Sequence, residues 1–124
     1  IAEEMLFPQI DVDIQIDLRD LNPKFLRILK QFEPFGPENM KPVFLATGLV
    51  DNGYGRKVGG DGSHLKLNII NGTDTNTYNA IGFGLGNKYE LIHNGKVFSA
   101  VFTVEENIWN GYKSVQLKIK DIKL

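Results

Sequence analysis

A mainly β domain is what this sequence predicts, and three observations carry the prediction. Four Asn-Gly pairs, Asn52-Gly53, Asn71-Gly72, Asn94-Gly95 and Asn110-Gly111, punctuate the second part of the chain. Asn-Gly is the strongest short-range hairpin signal, because both residues accept the positive φ of a tight β-turn. Between these pairs the side chains alternate apolar and polar, the pattern of strands that turn one face to a core. Upstream, Pro34, Pro37 and Pro42 fall close together; each fixes φ and removes a backbone donor, so neither a helix nor a central strand continues through them. The stretch 34–44 therefore reads as a stiff connector, with Phe35 and Phe44 to pin it and Gly36 as a close-approach position.

The elements follow in order. Residues 10–18 alternate Ile10, Val12, Ile14, Ile16 and Leu18 with Asp11, Asp13, Gln15 and Asp17, which predicts a half-buried strand with an acidic outer face. Carboxylates at period two mean a side that meets water before they mean a metal site. Asn22-Pro23 supplies an N-cap and a first-turn proline, and Phe25, Leu26, Ile28, Leu29 and Phe32 recur at helical spacing, so a helix is expected over 23–32.

Beyond the connector, residues 43–50 read as a first barrel strand that bends at Asn52-Gly53 and continues to Val58. Gly59-Gly60-Asp61-Gly62-Ser63 forms a loop. Residues 64–70 then turn His64, Lys66 and Asn68 outward and Leu65, Leu67 and Ile69 inward. Residues 77–83 form a third strand with Ile81 and Phe83 inward. Residues 85–93 break the alternation and suit a short helix. Residues 96–104 bury Phe98, Ala100, Phe102 and Val104, and 114–124 bury Val115, Leu117 and Ile119, with a bulge at Asp121-Ile122 where the alternation slips. Three strands, a short helix between strands three and four, then two strands is the order of a five-stranded OB-type barrel. The organisation expected is a strand–helix lead-in and tail of a preceding domain at 1–33, the connector at 34–44 and the barrel at 45–124.

Bulk properties narrow the function. The chain has 124 residues and no cysteine, enough for one self-sufficient core and without disulfides or thiolate metal sites. No apolar run is of membrane-spanning length and no basic-then-apolar leader is present, so the expectation is a soluble, cytoplasmic protein. Residues 1–42 carry net charge −3 and residues 43–124 net +2; only the second part could form a cationic groove. The two histidines, His64 and His93, have no second ligand at metal spacing. Gly82-Phe83-Gly84-Leu85-Gly86 lacks the Lys-Ser/Thr of a phosphate-cradling loop. Ser63 and His64, adjacent on a strand, point to opposite faces and cannot act as nucleophile and base. Asn71-Gly72-Thr73 is a glycosylation triplet by pattern and a hairpin turn by context. The chain reads as catalytically empty, with neither metal nor cofactor of its own.

Four short motifs in sequence then carry a resemblance: Pro34-Phe35-Gly36-Pro37-Glu38-Asn39 with Pro42 and Phe44; Ser63-His64-Leu65-Lys66-Leu67; Ala80-Ile81-Gly82-Phe83-Gly84; and Val115-Gln116-Leu117-Lys118-Ile119-Lys120-Asp121-Ile122. From about Leu29 onward the chain resembles the C-terminal, OB-fold part of the RecJ family of bacterial single-stranded-DNA exonucleases, DHH phosphoesterases. It departs from the family pattern at Glu38, where a glycine is usual, and at Met40, where a proline is. The resemblance implies a parent 5′-to-3′ exonuclease of DNA repair and recombination, with Mn2+ or Mg2+ held by an Asp/His cluster in its DHH and DHHA1 catalytic domains. Those domains, single-stranded DNA and a single-strand-binding protein are the partners it implies.

An OB barrel grips single strands with the outer face of its second and third strands and with the loops joining strands one to two and four to five. Here these map to His64, Lys66 and Asn68; to Arg56, Lys57 and Ser63; and to Trp109, Tyr112 and Lys113. Cations would meet phosphates and aromatics would stack bases. Each has a plainer reading: Trp109 as a lid on the barrel end, Arg56 and Lys57 as solvated edge charges, His64 as a loop-holding hydrogen-bond partner, Lys118 and Lys120 as solvation of the last strand. Two functions follow, a DNA-binding module or a structural and protein-docking module of the same enzyme.

Overall fold

Asn22 and Pro23 start a helix as their chemistry requires: the Asn22 side chain accepts a hydrogen bond from Phe25 N–H at 2.9 Å and proline occupies the first turn. The computed structural model describes residues 7–31, 41–71 and 76–124, apart from the side chain of Trp109. The expected proline connector, from Pro34 through Met40, and the Gly72 turn lie outside the described residues. The elements are strand β1 (Ile14–Gln15), a 3-10 turn (Leu18–Asp20), helix α1 (Pro23–Lys30), and strands β2 (Phe44–Asp51), β3 (Arg56–Val58), β4 (His64–Asn71) and β5 (Tyr78–Gly82). A second 3-10 turn (Gly86–Lys88) then runs into the one-turn helix α2 (Tyr89–Ile92), followed by strands β6 (Phe98–Trp109) and β7 (Tyr112–Lys123). No helix among the described residues is long and apolar enough to cross a membrane.

The strands form one mixed sheet of seven in the order β1-β2-β6-β7-β5-β4-β3, and β2 also pairs with β4. The start of β2 faces β6, with Phe44 opposite Phe102, and its end faces β4, with Val50 opposite Ile70. The hydrogen-bonded ladder therefore returns on itself through β2, β6, β7, β5 and β4. The β2–β6 register shifts between Ala46 and Leu49, and a shift of this kind adds bend and twist to a strand that changes partner. A second shift sets Val101 opposite Asp121 and Phe102 opposite Ile119, leaving Lys120 as the extra residue. A bulge is present, but one residue before the expected Asp121-Ile122: Ile122 pairs regularly with Ala100.

Inside the circuit lies one apolar cluster. Leu49, Leu65, Phe102, Leu117 and Ile122 are fully buried in it, with Leu18 and Leu21 of the lead-in closing the same core. Phe25 of α1 meets Phe44 edge-on at 5.7 Å. A second, smaller cluster sits on the outside of β2 and β6, where Phe7 covers Leu45 and Val101 and Ile10, Val12 and Val43 pack around it.

Four expectations need correction. The strand expected over 10–18 shrinks to Ile14–Gln15, and Ile14 is half exposed. Ile10 and Val12 turn instead to the Phe7 cluster, and Leu18 begins the 3-10 turn capped by Asp17. Hydrogen bonds from the Arg19 side chain, then from its backbone, hold the Asp17 carboxyl below its usual pKa. The first barrel strand does not run on to Val58: β3 is a separate strand bonded to β4, because buried Asp51 folds the chain back through hydrogen bonds from Gly53 and Gly55 N–H at 3.0 and 2.8 Å. The sheet thus has seven strands rather than five, and α2 falls between the fifth and sixth in chain order.

The last correction concerns Ile81 and Phe83, which do not point inward. Ala80 and Gly82 do, opposite the buried Leu67 and Leu65. Pairing register with β4 sets this phase, and at Gly82 a hypothetical Cβ would stand 2.8 Å from the side chain of Leu85 in the turn that follows. Phe83 is 57% exposed as a result.

Candidate nucleic-acid interface

Register decides which outward side chains of the sheet are neighbours. Arg56 on β3 stands opposite Lys66 on β4, Lys66 opposite Ile81 on β5, and Ile81 opposite Lys118 on β7. Opposed residues share a face of a sheet. Three cations on three strands therefore lie in one row about the half-buried Ile81. In the next row Asn68, Asn79 and Gln116 are register partners. On β6 the first row continues to Thr103 and the second to Glu105, which is paired with Lys41 at 3.2 Å; among the described residues neither Arg56 nor Lys66 has an ion pair. Tyr54, 76% exposed, closes one side of a shallow cleft of about 280 Å³ with Arg56, Lys66, Asn68 and Asn79.

At the start of β4 the face ends in an aromatic corner. Lys118 Nζ lies 5.7 Å over the ring of Phe83, and the His64 ring meets Phe83 edge-on at 5.4 Å. His64 Nδ1 accepts the Gly84 N–H at 2.9 Å. With Nδ1 so occupied, the neutral imidazole carries its proton on Nε2, a donor left for a ligand.

Below this corner the turn after β5 is joined to the loop before β4. Gly86 N–H donates to Ser63 C=O at 2.9 Å, and a Cβ on Gly86 would run into the Gly62 carbonyl oxygen. Ser63 is thus part of the loop's frame, and it also donates through its N–H to Asp61 at 3.1 Å. Hydrogen bonds from the Ser63 side chain, then its backbone, lower the pKa of Asp61.

The structure brings Arg56, His64, Lys66 and Asn68 to one face, in line with the sequence, and sets Lys57 apart. Lys57 pairs in register with the buried Leu65, on the other side of the pleat from Arg56, and its Nζ bridges Glu90 of α2 at 2.8 Å. That contact holds the Glu90 carboxyl below its usual pKa. Tyr112, 79% exposed, is on the same side of β7 as Gln116 and Lys118, but six residues before Lys118, roughly 20 Å at strand rise. Trp109 stands opposite Tyr112 at the hairpin tip; Lys113, opposite Ile108, lies on the reverse side.

Four residues of this face escape sequence reasoning. Local pattern gives Lys118 to plain solvation and Phe83 to the core, and it gives Tyr54 and Asn79 no role. Pairing register brings Asn79 and Lys118 to the face, while Tyr54 joins it as a wall of the cleft and Phe83 through its contacts with His64 and Lys118. The one local hint is Phe83 between two glycines, Gly82 and Gly84, where a strand is ending.

The sequence profile of the RecJ OB domain matches residues 12–121. The chain belongs to the RecJ OB domain family. It is 31% identical over 121 residues to the single-stranded-DNA-specific exonuclease RecJ of Bacillus subtilis (strain 168), covering 98% of this chain and 15% of that protein. It thus spans a small part of the relative it matches.

Two crystal structures of RecJ from Thermus thermophilus show the same fold. The one in complex with Mn2+ has a TM-score of 0.67 at 22% identity, covering 93% of this chain and 16% of that one. The one in complex with Mg2+ has a TM-score of 0.65 at 21% identity, covering 98% and 21%. In the present chain no group of three or more His, Asp or Glu among the described residues stands close enough to hold a metal ion. The described residues of this RecJ OB domain do not fit such an ion.

Proposed function

We propose that this chain is the single-stranded-DNA-binding module of a RecJ-like 5′-to-3′ exonuclease acting in cytoplasmic DNA repair and recombination. In this reading the five-strand circuit is an OB barrel and its open outer face is the track of the strand. The row Arg56, Lys66, Ile81, Lys118 carries the proposal, with cations on three of four neighbouring strands and no acid among them. Such a row meets a polyphosphate backbone, while Phe83 and Tyr54 offer rings to bases, the two parts of sequence-tolerant single-strand binding. The module lengthens the enzyme's grip and takes no part in cleavage. Catalysis and the Mn2+ or Mg2+ belong to DHH and DHHA1 domains outside this sequence.

A labelled single strand of about 16 nucleotides, the upper end of OB site sizes, titrated into the chain at about 50 and 200 mM salt tests this. Binding should weaken with salt, and Lys66→Ala should weaken it several-fold and flatten the log–log slope by about 0.7, one phosphate contact on a single strand. Absence of binding at low salt overturns the proposal. It would favour the docking reading, which has its own support in a groove of about 310 Å³ between α1 and β6 lined by Leu26, Leu29, Val104 and the exposed Ile108. A single-strand-binding protein is the partner to test there.

A further inference from the structure

The second row of the open face carries a relay of side-chain amides whose direction is set by the backbone. Asn52 Oδ1 accepts the Tyr54 N–H at 3.3 Å, so its Nδ2 is turned to donate to Asn68 Oδ1 at 2.5 Å. Asn68 is left with its Nδ2, which donates to Asn79 Oδ1 at 2.9 Å. An amide oxygen and nitrogen are told apart by their network of partners, and this network is anchored at one end by a main-chain N–H that can only donate. The relay therefore ends on Asn79 Nδ2, whose two hydrogens have no partner among the described residues. Its register neighbour Gln116 accepts from Asn107 Nδ2 at 3.2 Å through Oε1, which leaves a second NH2 on the same row.

The free end of the relay is consequently a donor. Asn79 Nδ2 and Gln116 Nε2 stand beside Arg56, Lys66 and Lys118, each amide oxygen of the row already accepts one hydrogen bond, and the carboxylate next in register, Glu105 opposite Gln116, is paired with Lys41 at 3.2 Å. A base that brings an exocyclic amino group here faces another donor, whereas a carbonyl is matched. Thymine alone among the DNA bases has carbonyls at both exocyclic positions and no amino group; cytosine, of the same size, carries an amino group in place of one carbonyl. From the Asn52–Asn68–Asn79 relay we infer that this face prefers thymine to cytosine, with Asn79 as the residue that sets the preference. The inference rests on the reading of the face as a single-strand track and adds base selectivity to it.

Competition between oligo-dT and oligo-dC of equal length for the chain is the test. The two have the same charge and ring size, so phosphate contacts cancel. Oligo-dT should bind about fivefold tighter, the worth of one matched hydrogen bond. Asn79→Ala should bring the two within about twofold, and Asn79→Asp, which still accepts from Asn68 but presents an oxygen, should favour oligo-dC at lower overall affinity. Lys66→Ala should weaken both equally and keep the preference. Equal binding of the two strands to the unaltered chain overturns the inference while leaving the track intact, as does a dT preference that survives Asn79→Ala. Failure of both strands to bind overturns the track itself.

Discussion

The outer surface of the sheet is in two parts, built from the same pleat and treated in opposite ways. Over β2 and β6 it is closed: Leu45 and Val101 have no exposure, and Phe7, Ile10 and Val12 of the lead-in lie across them. Over β3, β4, β5 and β7 it is open, and Arg56, Lys66, Asn79 and Lys118 meet solvent. The contrast separates two jobs. One half of the outside extends the core, and the other meets solvent and is the face proposed above as the track of a DNA strand.

The largest test of this division is Phe7→Ala, which would empty the covering cluster. A loss of about 3–5 kcal/mol is expected for a fully buried phenylalanine, read as a lower urea midpoint. A loss below about 0.5 kcal/mol, the range of surface substitutions, would make the cover an ornament and erase the comparison. Next comes the tether. The Asp13 carboxylate accepts the Val43 N–H at 2.7 Å, and Asp13 N–H donates to Val43 C=O at 2.9 Å, fixing the lead-in beside β2. Asp13→Ala should cost about 1 kcal/mol by the same measurement, since one hydrogen bond is lost at an exposed site. The smallest effect belongs to the open half: Lys66→Ala should leave the urea midpoint within about 0.5 kcal/mol of the original while it lowers affinity for DNA. A large loss of stability there would sharpen the question of what the open face is for.

The two halves are unequally legible. Where both outer and inner faces are covered, the sequence shows unbroken apolar runs, Val43-Phe44-Leu45-Ala46 and Ala100-Val101-Phe102, the mark of strands buried on both sides. Inward alternation alone accounts for half of each run and leaves the cover by Phe7 unseen. Where one face is open, His64-Leu65-Lys66-Leu67-Asn68 alternates cleanly, and Leu65 and Leu67 are buried as that pattern requires.

Alternation gives the phase of a strand but not its neighbours. Lys66 and Lys118 are 52 positions apart, and nothing local says that β5 will set both beside Ile81. The expected phase fails in β5, because propensity favours Ile81 and Phe83 as core residues while register sets Ala80 and Gly82 opposite the buried Leu67 and Leu65, and Leu85 occupies the space at Gly82. Capping is the most readable feature. Asn22-Pro23 begins α1 as expected, and Asn110-Gly111, with φ of 50° and 81°, closes the β6–β7 hairpin.

Main chain touches main chain where Gly86 meets Gly62 and Ser63, and this seam lies directly beneath the His64 corner. Because the only side chain that fits there is a hydrogen atom, the width of that wall is not something substitution can tune by degrees. Variation among proteins of this architecture would have to pass around the seam, through the length of the 59–63 loop or the identity of the rings above it, while the distance between those two backbones stays constant.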